Sequence, residues 1–109
     1  MTADEFRKLA FSFPGAVEMQ HMNHPDFRMA GKIFATLGYP DETQGMVKLT
    51  PEQQGQFMKE APAAFHPCNG VWGQRGATNV RLARVGKKVL SAALKAAVTN
   101  VVSQAMKKR

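Results

Sequence analysis

Phe27-Arg28-Met29-Ala30-Gly31-Lys32-Ile33-Phe34-Ala35-Thr36-Leu37, residues 27–37, places two short strand-type runs on either side of Ala30-Gly31. Ile33, Ala35 and Leu37 share one parity, and a small-residue turn between two such runs predicts a β-hairpin, so the strands run antiparallel. Toward the N-terminus, Ala16 to Met22 alternates, with Val17, Met19 and His21 on one face and Glu18, Gln20 and Met22 on the other. That pattern suits a further strand, closed by the turn residues Asn23-His24-Pro25-Asp26. Before it, Thr2-Ala3-Asp4-Glu5 is a capping box that opens a short helix to about Phe11, and Pro14-Gly15 ends that helix.

Toward the C-terminus, the polar segment Gly38 to Gly45 forms the next turn and Met46-Val47-Lys48-Leu49 the next strand. Thr50 as N-cap, Pro51 at the first helical position and Gln53 at the third then start a second helix that runs to about Glu60. Residues 61–77, rich in proline, glycine and aromatics, predict irregular backbone or short strands, and Thr78 to Ala83 a strand. From Lys87 to about Met106, Leu90, Ala93, Leu94, Ala97, Val98 and Val101 recur at helical spacing, giving a long last helix lying across the sheet. The expected fold class is α+β, an antiparallel sheet with helices packed on one face.

With 109 residues, 44% of them hydrophobic, the chain encloses one core, so residues 1–109 are expected to form a single domain. The single cysteine, Cys68, forms no internal disulfide, and the opening residues lack a secretory pattern, which together point to the cytoplasm. No run of eighteen apolar residues occurs, so a membrane span is not expected.

Charge is distributed unevenly. Residues 1–60 hold six basic and eight acidic side chains, whereas residues 61–109 hold nine basic and none acidic, within a net charge of +7. A lopsided distribution of this kind marks a docking surface for a polyanion. If Phe27, Met29, Ile33, Ala35, Leu37, Val47, Leu49, Val80 and Leu82 face the helices, then Arg28, Lys32, Lys48 and Arg81 fall on the open side of the sheet. Phe34 joins them there as a stacking aromatic, and the alternative is an ordinary solvated face. Trp72-Gly73-Gln74-Arg75-Gly76 is a second candidate, either a probing loop tip or a core-edge tryptophan with turn glycines. A third is Arg84-Val85-Gly86-Lys87-Lys88, where lysines at a helix start oppose the dipole unless a phosphate binds there or solvent screens them. The tail Lys107-Lys108-Arg109 adds non-specific attraction.

Catalytic and metal readings find little support. His21-x-x-His24-x-Asp26 lies across a strand end and a proline turn, and Pro67 splits His66 from Cys68, so neither matches a zinc pattern. Cys68 near His66 is an activated thiol or, more commonly, an idle one. No phosphate loop, paired carboxylates or serine elbow occurs, and no cofactor, metal or enzymatic activity is expected.

Phe13-Pro14-Gly15-Ala16, His24-Pro25-Asp26-Phe27-Arg28, Gly31-Lys32-Ile33-Phe34-Ala35, Val47-Lys48-Leu49-Thr50-Pro51-Glu52-Gln53-Gln54 and Gly70-Val71-Trp72-Gly73 together resemble the MmcQ/YjbR family of small bacterial proteins, from about Phe6 to Val102. The resemblance implies an α+β fold like those of CyaY and the secretion chaperones, and a DNA-binding role through a double-wing arrangement of β elements. It carries over no catalytic residue, and Arg28, Lys32, Lys48 and Trp72 are the matched positions that bear on binding. Gly86-Lys87-Lys88 departs from an acidic or polar helix start.

The functional expectation is a DNA-binding domain with little sequence specificity that uses Arg28, Lys32, Lys48, Trp72, Arg75, Arg81, Lys87 and Lys88. About four neutralised phosphates give a salt slope of roughly −3.6. An adaptor for an acidic protein partner is the alternative, and a small-molecule site near His21, His24, Lys32 and Trp72 a third reading.

Overall fold

The computed structural model describes residues 1–21 and 23–107, with the side chain of His21 outside the description. Met22, expected in the first strand, and Lys108 and Arg109 of the basic tail lie outside the described residues. In chain order the elements are α1 (Ala3–Phe11), β1 (Val17–His21), β2 (His24–Met29), β3 (Lys32–Leu37), β4 (Gln44–Lys48), α2 (Pro51–Glu60), β5 (Phe65–Pro67), α3 (Gly70–Gln74), β6 (Ala77–Arg81) and α4 (Lys87–Lys107). The strands form one six-stranded sheet in the order β1-β2-β3-β4-β6-β5, every pairing antiparallel. The α+β class and the one-sided helix layer read from the sequence are therefore present.

Local chemistry accounts for the helix starts. Both capping boxes close: the Thr2 hydroxyl accepts from the Glu5 N–H while Glu5 accepts from the Thr2 N–H, and Thr50 and Gln53 repeat the exchange. The Ala30-Gly31 turn has positive φ at both residues, as a two-residue hairpin turn between right-twisted strands requires. The expected turn at residues 23–26 is shorter than read, because β2 already begins at His24, opposite His21. The peptide bond Tyr39-Pro40 is cis.

One side of the sheet packs on the helices. Phe6 of α1 meets Phe27 and Phe57 of α2 meets Phe65, each pair tilted, and Leu90, Ala93, Leu94, Ala97 and Val101 of α4 are buried in the same core with Val47 and Val80. By length and composition α4 could cross a membrane, with mean hydropathy 1.2, and its apolar stripe lies on the sheet.

A bulge corrects the expected parity of β3. Phe27 pairs with Ala35 but Arg28 pairs with Ile33, so Phe34 has no opposite residue and the strand's alternation is reset. Phe34 and Ala35 both turn to the helix side and are 0% exposed, so Phe34 is a core residue and not an open-face aromatic. Lys32 pairs with Met29, which packs on the core, and therefore sits on the helix side, while Ile33 moves to the open side opposite Arg28. An extra residue in one strand is invisible to a period-two reading of that strand.

Candidate functional site

The cross-strand pairs place Arg28, Lys48 and Arg81 on the open side of the sheet, as expected, but do not gather them into one patch. Arg28 is already engaged: its Nε lies 2.9 Å from Asp26 Oδ1 and its Nη2 3.2 Å from Oδ2. Asp26 is 1% exposed beneath it, and this hydrogen bonding raises the Arg28 pKa above its ordinary value. The pair is locally neutral, which removes Arg28 from the set of available cations. Arg81 is exposed and donates from Nη1 to the Ala63 carbonyl at 3.1 Å. Lys48 pairs with Ala77, and Arg81 with Gln44, four residues along the same ladder, a separation of roughly 13 Å.

Lys48, Trp72 and Arg75 do converge. They line a cleft of about 380 Å³ at the end of β4 and β6, walled by Leu49, Thr50 and Pro51 on one side and by Asn100, Val101 and Gln104 of α4 on another. The expected loop around Trp72 is the short helix α3, ended by Arg75. Trp72 is not a core-edge filler, being 63% exposed, with Lys48 Nζ 5.4 Å from its ring centroid. None of the described residues lining the cleft is acidic.

Two amides that sequence reasoning passed over hold this arrangement. Gln54 Nε2 donates at 3.1 Å to the carbonyls of Gly73 and Ala77 and to the Thr78 hydroxyl, tying α3 and the start of β6 to α2. Asn100 Nδ2 donates to the Lys48 carbonyl at 3.1 Å and to Gln53 Oε1 at 2.7 Å, tying α4 to the corner between β4 and α2. Asn100 had a signal, since it is a polar residue one position before Val101 on the apolar stripe of the last helix. Backbone contacts complete the fit: a Cβ at Gly73 would lie 1.8 Å from the Cys68 carbonyl oxygen, so α3 docks directly on that main chain.

The remaining candidates lie elsewhere. Lys87 and Lys88 open α4 on the helix side, thirteen residues before Asn100 for Lys87, or roughly 20 Å along the axis. They remain a candidate apart from the Lys48 cleft, both exposed at the start of α4. Glu5, which caps α1, is held below its ordinary value first by the Thr2 backbone and hydroxyl and, among smaller effects, by the N-terminal ammonium and Lys87. Nor do His24, Lys32 and Trp72 form one pocket, and the side chain of His21, the fourth member of that reading, lies outside the description. His24 sits at the start of β2 against Tyr39, Lys32 faces the helix side opposite Met29, and Trp72 lies beyond Lys48.

Cys68 is the reverse of an activated thiol. Burial pushes it up to about 11, and its Sγ donates to Asn79 Oδ1 at 3.2 Å while the His66 ring is bonded elsewhere, Nε2 to Gln44 Oε1 at 2.7 Å. No group of three side chains able to hold a metal comes together among the described residues. Burial, then the Arg81 charge, holds His66 below its ordinary 6.5. Between the lowered value and 6.5 the unfolded chain binds more protons than the folded one, so stability falls as pH drops below about 6.5. Melting curves from pH 7.5 to 5 should show this loss, and His66→Gln should reduce it; an equal acid loss in the variant would assign the effect to other groups.

A comparison with curated proteins gives no match. Among solved structures, the chain is similar to protein DR2400 of Deinococcus radiodurans, which carries the DUF419 domain, with a TM-score of 0.76 over 92% of this chain and 78% of that one. At 17% identity this likeness establishes a shared fold. The sequence itself matches the YjbR family over residues 11–99, most of its length, and the chain belongs to that family.

Proposed function

We propose that this protein is a non-enzymatic, cytoplasmic DNA-binding domain that holds phosphates without strong sequence preference. The observation that supports this reading is the meeting of Lys48 with Arg75 in a cleft that none of the described carboxylates lines, beside an exposed tryptophan; Arg75 and Trp72 come from residues 61–109, which carry no acidic residue. Arg81, on the same side of the adjacent strand but roughly 13 Å along the ladder, offers a separate phosphate contact. Arg28 is paired with Asp26, Lys32 sits on the helix side, and Lys87 and Lys88 lie at the exposed start of α4 away from the cleft, so this reading counts on fewer phosphates than the full cation number.

Two or three neutralised phosphates give a slope of log K against log salt of roughly −2 to −3. The test is a fluorescent duplex of arbitrary sequence titrated across a salt series, with the Lys48→Glu/Arg81→Glu double variant alongside. Micromolar, salt-steep binding that the variant loses supports the reading, and a flat salt response or full binding by the variant overturns it. The second reading, an adaptor for an acidic protein segment, draws on Val17 and Met19, which are 52% and 48% exposed on the same open side as Arg28. Capture of one acidic protein that DNA cannot displace would favour it.

A further inference from the structure

From the Trp72 cleft we infer a preference for single-stranded over duplex DNA, with one unpaired base stacked on the Trp72 ring while Lys48 and Arg75 hold the flanking phosphates. This inference rests on the phosphate-binding reading above and adds what the cleft itself takes.

An indole is a large apolar surface that proteins usually cover, and this one remains 63% exposed although its chain neighbour in α3, Gly73, is buried. Lys48 Nζ lies over the ring at 5.4 Å from its centroid, and the 63% exposure shows that much of the indole stays open beside it. The ring therefore offers a stacking surface beside two cations, the combination that single-strand binders use for successive base and phosphate. Bases inside a duplex already have both faces stacked and have none to offer. The size agrees: about 380 Å³ is at the lower end of the 300–1,000 Å³ typical of small-ligand clefts, enough for a nucleotide unit and far too little for a double helix.

The walls are fixed before any ligand arrives. Gln54 clamps the C-terminal end of α3 to β6, and Asn100 clamps α4 to the Lys48 main chain, so the main chain that carries the ring, the cations and the polar wall holds one spacing. Gln104, exposed on the last turns of α4, lines the cleft and presents an amide to the edge of a stacked base. An amide rotates between donor and acceptor presentations, which suits base contact without strict sequence choice.

Trp72 is the single tryptophan of the chain, so its fluorescence reports this cleft alone. The experiment titrates the full chain with a thymidine decamer, with an abasic oligomer of the same length and backbone charge, and with a ten-base-pair blunt duplex. Base stacking predicts quenching of Trp72 by the thymidine decamer and binding about 5- to 100-fold tighter than the abasic oligomer. Trp72→Ala, at an exposed position, should bring decamer binding, followed by anisotropy of labelled DNA, down to the abasic level, and Trp72→Phe should restore most of it. Equal binding of decamer and abasic oligomer without quenching overturns the stacking inference and leaves the phosphate reading standing. Binding of neither overturns both, and tighter binding of the duplex than of the decamer overturns the single-strand preference.

Discussion

Replacing Phe34 by alanine is expected to destabilise the protein by about 3–5 kcal/mol, the range for removing a fully buried phenylalanine. Phe34 is 0% exposed, and its ring meets Phe13 edge-on at 6.4 Å between centroids. Alternation along β3 alone would put this side chain in solvent, where truncation changes stability by no more than about 0.5 kcal/mol. Thermal unfolding separates the two placements, because a difference of about 2.5 kcal/mol or more corresponds to a fall in Tm of roughly 10 °C or more for a chain of this size. Phe34→Leu, which keeps most of the volume, should lose much less. Wild-type stability in Phe34→Ala would mean that the bulge opposite Phe27 and Arg28 does not form.

Gly76→Ala should be almost as damaging. The backbone at Gly76 has φ +109°, and an added Cβ would lie 2.1 Å from the Leu49 carbonyl oxygen and 2.7 Å from the Thr50 carbonyl carbon. The colliding atoms are main chain, so no side-chain rotation relieves the contact. An unfavourable φ for alanine and overpacking each contribute about 1–3 kcal/mol, together about 2–6 kcal/mol. Relief requires moving the corner between β4 and α2, which carries Lys48, so a shift in Trp72 emission should accompany the loss of stability. A variant that melts and fluoresces like wild type would show that this corner is less tightly packed than its distances state.

The parts legible in the sequence are those decided within a few residues. Thr2 with Glu5 and Thr50 with Gln53 need only a helix start, and the apolar spacing from Leu90 to Val101 needs only the helix itself. Lys32 and Phe34 were misplaced because their side depends on which residue of β2 lies opposite, a matter settled across the hairpin. Lys48, Arg75 and Trp72 were readable one by one as basic and aromatic candidates. Their convergence was not, since it follows from the register that sets Lys48 opposite Ala77 and from Gln54 and Asn100 reaching other elements. Arg28 was read as a free cation because nothing in the spacing shows that Asp26, two residues earlier on the same face, is held beneath it.

Strand order also sets the sequence in which the chain can acquire its parts. Strand β1 pairs with β2, β2 with β3 and β3 with β4, and β5 pairs with β6, so two sets of strands close short loops. Among the strands only the β4–β6 ladder joins them, across a connection containing α2, β5 and α3, and α4 packs over β2, β3 and β4 once they meet. Lys48 lies on one side of that seam, and Trp72, Arg75 and Ala77 on the other. A nascent or partly folded chain with both halves formed but undocked therefore has no cleft, and ligand affinity arises with the final docking step, making ligand capture a reporter of complete folding.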